Sequence, residues 1–206
     1  MRDPFAGSDF SQNSQRLRAG RPAPTEPEVG SFPDGSTSDH ESVKETGTTT
    51  IGISTTDGVV IATDMRASLG GRFVSNKTVQ KVKQIHPTAA LTLVGSGNFA
   101  RGGPFLAINP ILGGVDEEGS HVYSIDPAGG VMEDDYTITG SGLTVAYGTL
   151  EDRYEEDMSV DEARDAAVTA IKAAAERDTG SGNGVYIAEV TGDGVEIEGH
   201  ENFEGV

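Results

Sequence analysis

The sequence predicts an α+β fold, and three observations carry the prediction. Short β-branched and alternating apolar runs fill residues 49–139, two helical patterns occupy 143–177, and strand patterns return at 185–197. Strands, then helices, then strands again place helices against sheets of neighbouring strands, in contrast to an alternating βαβ chain.

Residues 1–47 come first and read differently. They hold Pro4, Pro22, Pro24, Pro27 and Pro33, with large apolar residues only in isolation. Such a segment cannot bury enough surface to offset its ordering entropy, so it is expected to be a disordered leader, with a folded domain over 48–206. The strand at 49–54 rests on β-branched residues whose stiff χ1 angles suit an extended backbone. Asp57-Gly58 predicts a hairpin turn into a strand at 59–63. Shorter strands are expected at 73–74, 81–85, 90–94, 108–114, 121–125 and 136–139, with turns at 117–119 and 126–129. Residues 143–155 show helical spacing of Val145, Ala146, Leu150 and Tyr154. Ser159-Val160-Asp161-Glu162 is a capping box for a second helix reaching about Arg177, with Val160, Ala163, Ala167, Ala170, Ile171 and Ala174 on its buried face. Gly192-Asp193-Gly194 turns the closing hairpin of 185–191 and 195–197.

Composition excludes several function classes. The 206 residues contain no cysteine, so neither a disulfide framework nor a thiolate site is available. The four histidines lack metal-ligand spacing. No apolar run reaches membrane-spanning length and no secretory signal opens the chain, which places the protein in the cytoplasm. Thirty-three acidic residues against 15 basic ones give a net charge of −18, with no basic patch for nucleic acid. That balance suits concentrated salt, which screens self-repulsion; the alternative is an acidic surface for a basic partner. Gly95-Ser96-Gly97, Gly140-Ser141-Gly142 and Gly180-Ser181-Gly182 complete no phosphate loop, and no serine sits in a nucleophile elbow.

The candidate chemistry lies at Gly47-Thr48-Thr49-Thr50. A threonine run starts many ordinary edge strands. Cut between Gly47 and Thr48, however, the chain would carry a hydroxyl and an α-amine on one residue. An α-amine titrates near 8 and can take the hydroxyl's proton, a recognised route to a threonine nucleophile. Asp64 could simply end its strand, and Lys81 could be the outward member of an edge strand.

Ala62-Thr63-Asp64-Met65-Arg66, Val79-Gln80-Lys81-Val82, Thr139-Gly140-Ser141-Gly142, Glu176-Arg177-Asp178 and Ser181-Gly182-Asn183-Gly184 follow in order. With the threonine run, they resemble a proteasome β subunit of the archaeal, salt-loving type, from about Thr48 to the C-terminus. The resemblance implies a four-layer αββα sandwich of the N-terminal-nucleophile hydrolase class and a threonine endopeptidase that removes its own leader. Lys81 would then bring positive charge to the Thr48 hydroxyl and Asp64 would hold that ammonium. Ser141, Asp178 and Ser181 would position the terminal amine, and the Gly95 N–H would bind the oxyanion. Val79, Lys83 and Leu93 match pocket-lining positions. Implied partners are α and further β subunits in stacked seven-membered rings, an activating ATPase and unfolded polypeptides, with no cofactor, nucleic acid or membrane.

One departure stands out. Relatives place two helices after the residue matching Gly95, whereas here residues 96–104 are too few for even one average helix, a loss on the order of 35–40 residues. Asn98-Phe99-Ala100-Arg101 reads as the last turn of the second helix, and the resemblance leaves one sheet face short of its cover. Two other readings fit the sequence: a non-catalytic ring subunit that never matures, and an acidic soluble binding domain with a chance threonine run.

Overall fold

A computed structural model describes residues 47–69, 73–92, 95–98 and 105–206. The expected leader up to residue 46, the pocket-lining Leu93 and residues 99–104 of the shortened connection lie outside it. Two five-stranded antiparallel sheets face each other. The first runs β12-β1-β2-β13-β14, built from Tyr136–Gly140, Thr49–Ser54, Val59–Asp64, Val185–Thr191 and Gly194–His200. The second runs β11-β10-β9-β6-β5, from Val131–Glu133, Ser120–Ile125, Ile111–Val115, Ala89–Thr92 and Val82–His86. Helices α1 (Leu143–Leu150) and α2 (Val160–Arg177) cover the outer face of the first sheet. The described part of the α+β sandwich therefore has three layers: helices, sheet, sheet.

Strand alternation divides the core. Ile51 and Ile53 on β1, Ala62 on β2 and Ile187 on β13 point to the helices, meeting Ala163, Ala167, Ala170 and Ile171. The alanines let α2 lie close, and each buried isoleucine contributes about 1.5–3 kcal/mol. The opposite faces of the same strands supply Val59, Ile61, Ala188 and Val190 to a second cluster, completed by Val82, Ala90, Ile111 and Val122 of the facing sheet. Gly52 marks the close approach of the sheets, since a Cβ there would come within 2.7 Å of Ile111 Cγ2.

The capping box forms as its sequence requires. Ser159 Oγ accepts the Glu162 N–H, and Glu162 returns a carboxylate to the Ser159 N–H. All six residues expected on the buried face of α2 are buried. Helix α1 is shorter than its pattern suggested and ends at Leu150. Beyond it the Arg153 and Tyr154 N–H groups both return to the Leu150 carbonyl, so the last turn tightens and closes. The first hairpin needs four loop residues, because Ser54 pairs with Val59, so Asp57-Gly58 forms only its second half. The single strand expected at 108–114 is two, broken at Asn109-Pro110, where proline cannot join the ladder.

The shortened connection is the main correction. Gly95–Asn98 (β7) pairs antiparallel with Phe105–Ile108 (β8). Asn98 therefore belongs to a strand, where a helical turn was expected. Pairing the two described flanks with each other satisfies their backbone groups. Ala67–Leu69 (β3) and Phe73–Asn76 (β4) form a second small hairpin, of which only part of β4 was expected.

The outer face of the second sheet presents Leu91, Leu112 and Tyr123 in one cross-strand row, with Ile85 56% exposed on β5. Ile111, next to Leu112 on the same strand, points between the sheets and is fully buried. Among the described residues no helix covers this face. The chain expressed alone is accordingly expected to melt broadly and bind a hydrophobic dye, and inserting two amphipathic helices after Gly95 should restore a cooperative transition. A sharp two-state melt of the unmodified chain in high salt would overturn this expectation.

Candidate active site

At the start of β1 the polypeptide arrives as Gly47, enters the strand through Thr48, and runs beside the end of β2. There Thr48 and Asp64 are buried, and Lys81, immediately before β5, reaches across from the second sheet with only 5% of its surface exposed. Lys81 Nζ donates to Thr48 Oγ1 at 2.6 Å and to Asp64 Oδ1 at 2.6 Å. The Thr48 hydroxyl donates to the same Asp64 oxygen at 2.8 Å.

Asp64 is the hub of this cluster. Its Oδ1 also accepts the Thr49 N–H at 3.0 Å, while Oδ2 accepts the Arg66 and Gly182 N–H groups, each at 2.9 Å. Every lone pair of the buried carboxylate is used, the condition under which burying a charge pair is tolerated. Burial pushes the Lys81 ammonium below the usual lysine range, and Asp64 opposes that shift without reversing it. An amine held this way can take up and return a proton beside the hydroxyl it touches.

A second set of hydroxyls surrounds the nitrogen of Thr48. That nitrogen is a peptide N–H in the uncut chain and occupies the place an α-amine would take after cleavage. It donates to Ser141 Oγ at 3.1 Å. Ser141 in turn donates to Asp178 Oδ2 at 2.6 Å, which also accepts from Ser181 Oγ at 2.6 Å. Ser141 follows β12 and Asp178 caps the end of α2, so three elements converge here.

Of the residues singled out in the sequence, Thr48, Asp64, Lys81, Ser141, Asp178 and Ser181 thus stand in one connected network, with Gly47 on its rim. Gly95 opens β7 opposite Ile108, and the hydrogen bonds of the cluster do not include it. Val79 is half-buried and its N–H donates to the Met65 carbonyl at 3.0 Å. Lys83 is exposed and bonded to Gln80.

Three members of the network carried no role in the sequence reading. Thr49 Oγ1 lies 2.7 Å from Ser181 Oγ and ties β1 to the 179–184 loop. Arg66 braces that loop through Asn183 Oδ1 at 3.0 Å and the Thr179 carbonyl at 3.1 Å. Asn183 adopts a left-handed φ of 73°, which its short polar side chain tolerates. Arg66 was visible as part of its motif, but its partners lie more than a hundred residues away.

A family model described as "Proteasome subunit" matches the chain over residues 44–101 and again over 96–190. The two matches overlap at the shortened connection. The chain is 62% identical to proteasome subunit beta 1 of Haloarcula marismortui, across 98% of both chains. It is 60% identical to a proteasome subunit beta of Natrialba magadii across the full length of both, and 63% identical to that of Halomicrobium mukohataei over 88% of this chain and 92% of the relative. The Natrialba alignment spans 243 positions where this chain has 206 residues, so the relative carries a stretch that this chain lacks. Among the described residues, no helix is long and apolar enough to cross a membrane.

Proposed function

The chain belongs to the proteasome subunit family, and we propose that it is a catalytic β subunit, a threonine endopeptidase that frees Thr48 by cutting its own leader. The observation that carries this reading is the Lys81–Thr48–Asp64 contact set directly after Gly47.

Self-cleavage begins when Lys81, in its neutral form, takes the Thr48 hydroxyl proton. Thr48 Oγ1 then attacks the Gly47 carbonyl carbon, closing a five-membered ring through Thr48 Cβ, Cα and N. The ring opens by breaking the bond from Gly47 C to Thr48 N, and the nitrogen receives the proton from Lys81. The leader is now an ester on Thr48 Oγ1. Water attacks that ester, the leader leaves as a carboxylic acid ending at Gly47, and the hydroxyl is restored beside a new α-amine.

Peptide hydrolysis repeats the chemistry on an external carbonyl. Thr48 Oγ1 forms an ester with the acyl half, the α-amine and Lys81 handle the proton, and water releases the product. Ser141, Asp178 and Ser181 hold the amine where the peptide N–H now sits. The Gly95 N–H serves as the oxyanion donor. The chain works in rings with α and other β subunits, in the cytoplasm, on unfolded polypeptides delivered by an activating ATPase. Its acidic surface suits concentrated salt.

Intact-mass measurement of the protein from its native host tests this reading. A chain beginning at Thr48 is the expected result; a chain that keeps residues 1–47 in assembled particles overturns it and favours a non-catalytic ring subunit.

A further inference from the structure

The Gly47–Thr48 bond is held from both sides, and only one of the two holds belongs to the network described above. On the Thr48 side, Ser141 Oγ accepts the Thr48 N–H and the Gly142 N–H reaches the Thr48 carbonyl at 3.3 Å. On the leader side, the buried Gly47 N–H donates to Ser68 Oγ at 3.0 Å. Ser68 is 1% exposed and sits on β3, beside the bulge between Ala67 and Ser68. A Cβ on Gly47 would come within 2.2 Å of Gly180 Cα and 3.0 Å of Ser68 Oγ, so the end of the leader lies in a slot with backbone on one wall and this hydroxyl on another.

The geometry assigns Ser68 as a positioning residue for self-cleavage, a role that rests on the proposed Thr48 chemistry. The ring-closing attack requires the Gly47 carbonyl carbon to turn toward Thr48 Oγ1. That carbon lies in the peptide plane between the two residues, which Ser141 holds through the Thr48 N–H and Ser68 braces from the far side through the Gly47 N–H. Glycine at 47 has the widest conformational range of any residue, so its orientation must come from outside. Ser68 supplies it by fixing the nitrogen one residue before the bond that breaks. Holding reacting groups in one arrangement is where much of the rate of such a step originates. The Ser68 hydroxyl accepts from Gly47, the last residue of the segment that is discarded.

The test follows leader loss by intact mass against time, in full-length chains assembled with α subunits at high salt. Ser68→Ala is expected to slow loss of residues 1–47 by roughly tenfold, the scale of one oriented hydrogen bond. Ser68→Cys keeps the volume but offers a weak acceptor, and should slow it similarly; Ser68→Thr retains the oxygen and should stay near the wild-type rate. Given time, all three should reach the wild-type number of free Thr48 termini. Wild-type maturation rates in both Ser68→Ala and Ser68→Cys overturn the assignment alone. So does a Ser68→Thr chain as slow as Ser68→Ala, which marks a merely structural role. A wild-type chain that never loses its leader overturns the self-cleavage reading and this assignment with it.

Discussion

Thr48→Ala is expected to keep residues 1–47 attached and to leave no peptide hydrolysis above background. The substitution removes the one oxygen that Lys81 and Asp64 both contact, while the scaffold loses little. Asp64 keeps the Thr49, Arg66 and Gly182 N–H groups and the Lys81 ammonium, so no buried charge is stranded. The variant should therefore fold and assemble as an uncut precursor, which separates loss of chemistry from loss of structure. Thr48→Ser should mature and hydrolyse more slowly, by about tenfold, because the threonine methyl restricts χ1 and aims the hydroxyl. That methyl lies against Gly140, where φ is 103° and a Cβ would come within 2.8 Å of Thr48 Cγ2. Mass spectra and peptide turnover of both variants, made free of wild-type subunits, provide the check. A processed Thr48→Ala chain would remove Thr48 from the mechanism.

What the sequence made legible was local. β1, the capping box of α2 and the closing hairpin each depend on residues within a few positions of one another, and each lies where the pattern placed it. Boundaries set by distant packing were less readable: α1 closes at Leu150 although the apolar spacing runs on to Tyr154. The β7–β8 pairing had no signal of its own, since it exists because the connection is short. The network around Thr48 includes contacts between positions as far as 132 residues apart. No window of sequence displays such contacts, and its members were named only because their motifs resemble one family in order. The roles of Thr49, Ser68 and Asn183 stayed hidden for the same reason. Their side chains are ordinary strand and loop residues until folding brings the 179–184 loop against Thr49 and Arg66 and the end of the leader against Ser68.

Lys81→Ala should lower both leader removal and peptide hydrolysis by on the order of 10²–10³, the usual scale for a charge aimed at a reacting oxygen. The more telling variant is Lys81→Arg. A guanidinium keeps the positive charge beside Asp64 but does not give up its proton at any working pH. If Lys81 acts only as a charge, arginine should rescue much of the rate; if it carries the proton, arginine should fail almost as badly as alanine, and failure is expected. The pH dependence points the same way. Burial lowers the Lys81 pKa from its ordinary value of 10.5, so the neutral, proton-accepting form is reached sooner as pH rises. Leader removal, which proceeds before any α-amine exists, should therefore accelerate with pH along a single titration below the usual lysine range. The stability term has the same sign. Between the folded and unfolded pKa values the unfolded chain holds more protons at this site, so the Lys81 contribution to stability rises with pH there. Lys83 is exposed and bonded to Gln80, outside the cluster, so Lys83→Ala is the matched control for leader removal and should leave that rate near wild type. An assembled Lys81→Ala particle that hydrolyses peptides at the wild-type rate would show that the proton on Thr48 leaves by another route.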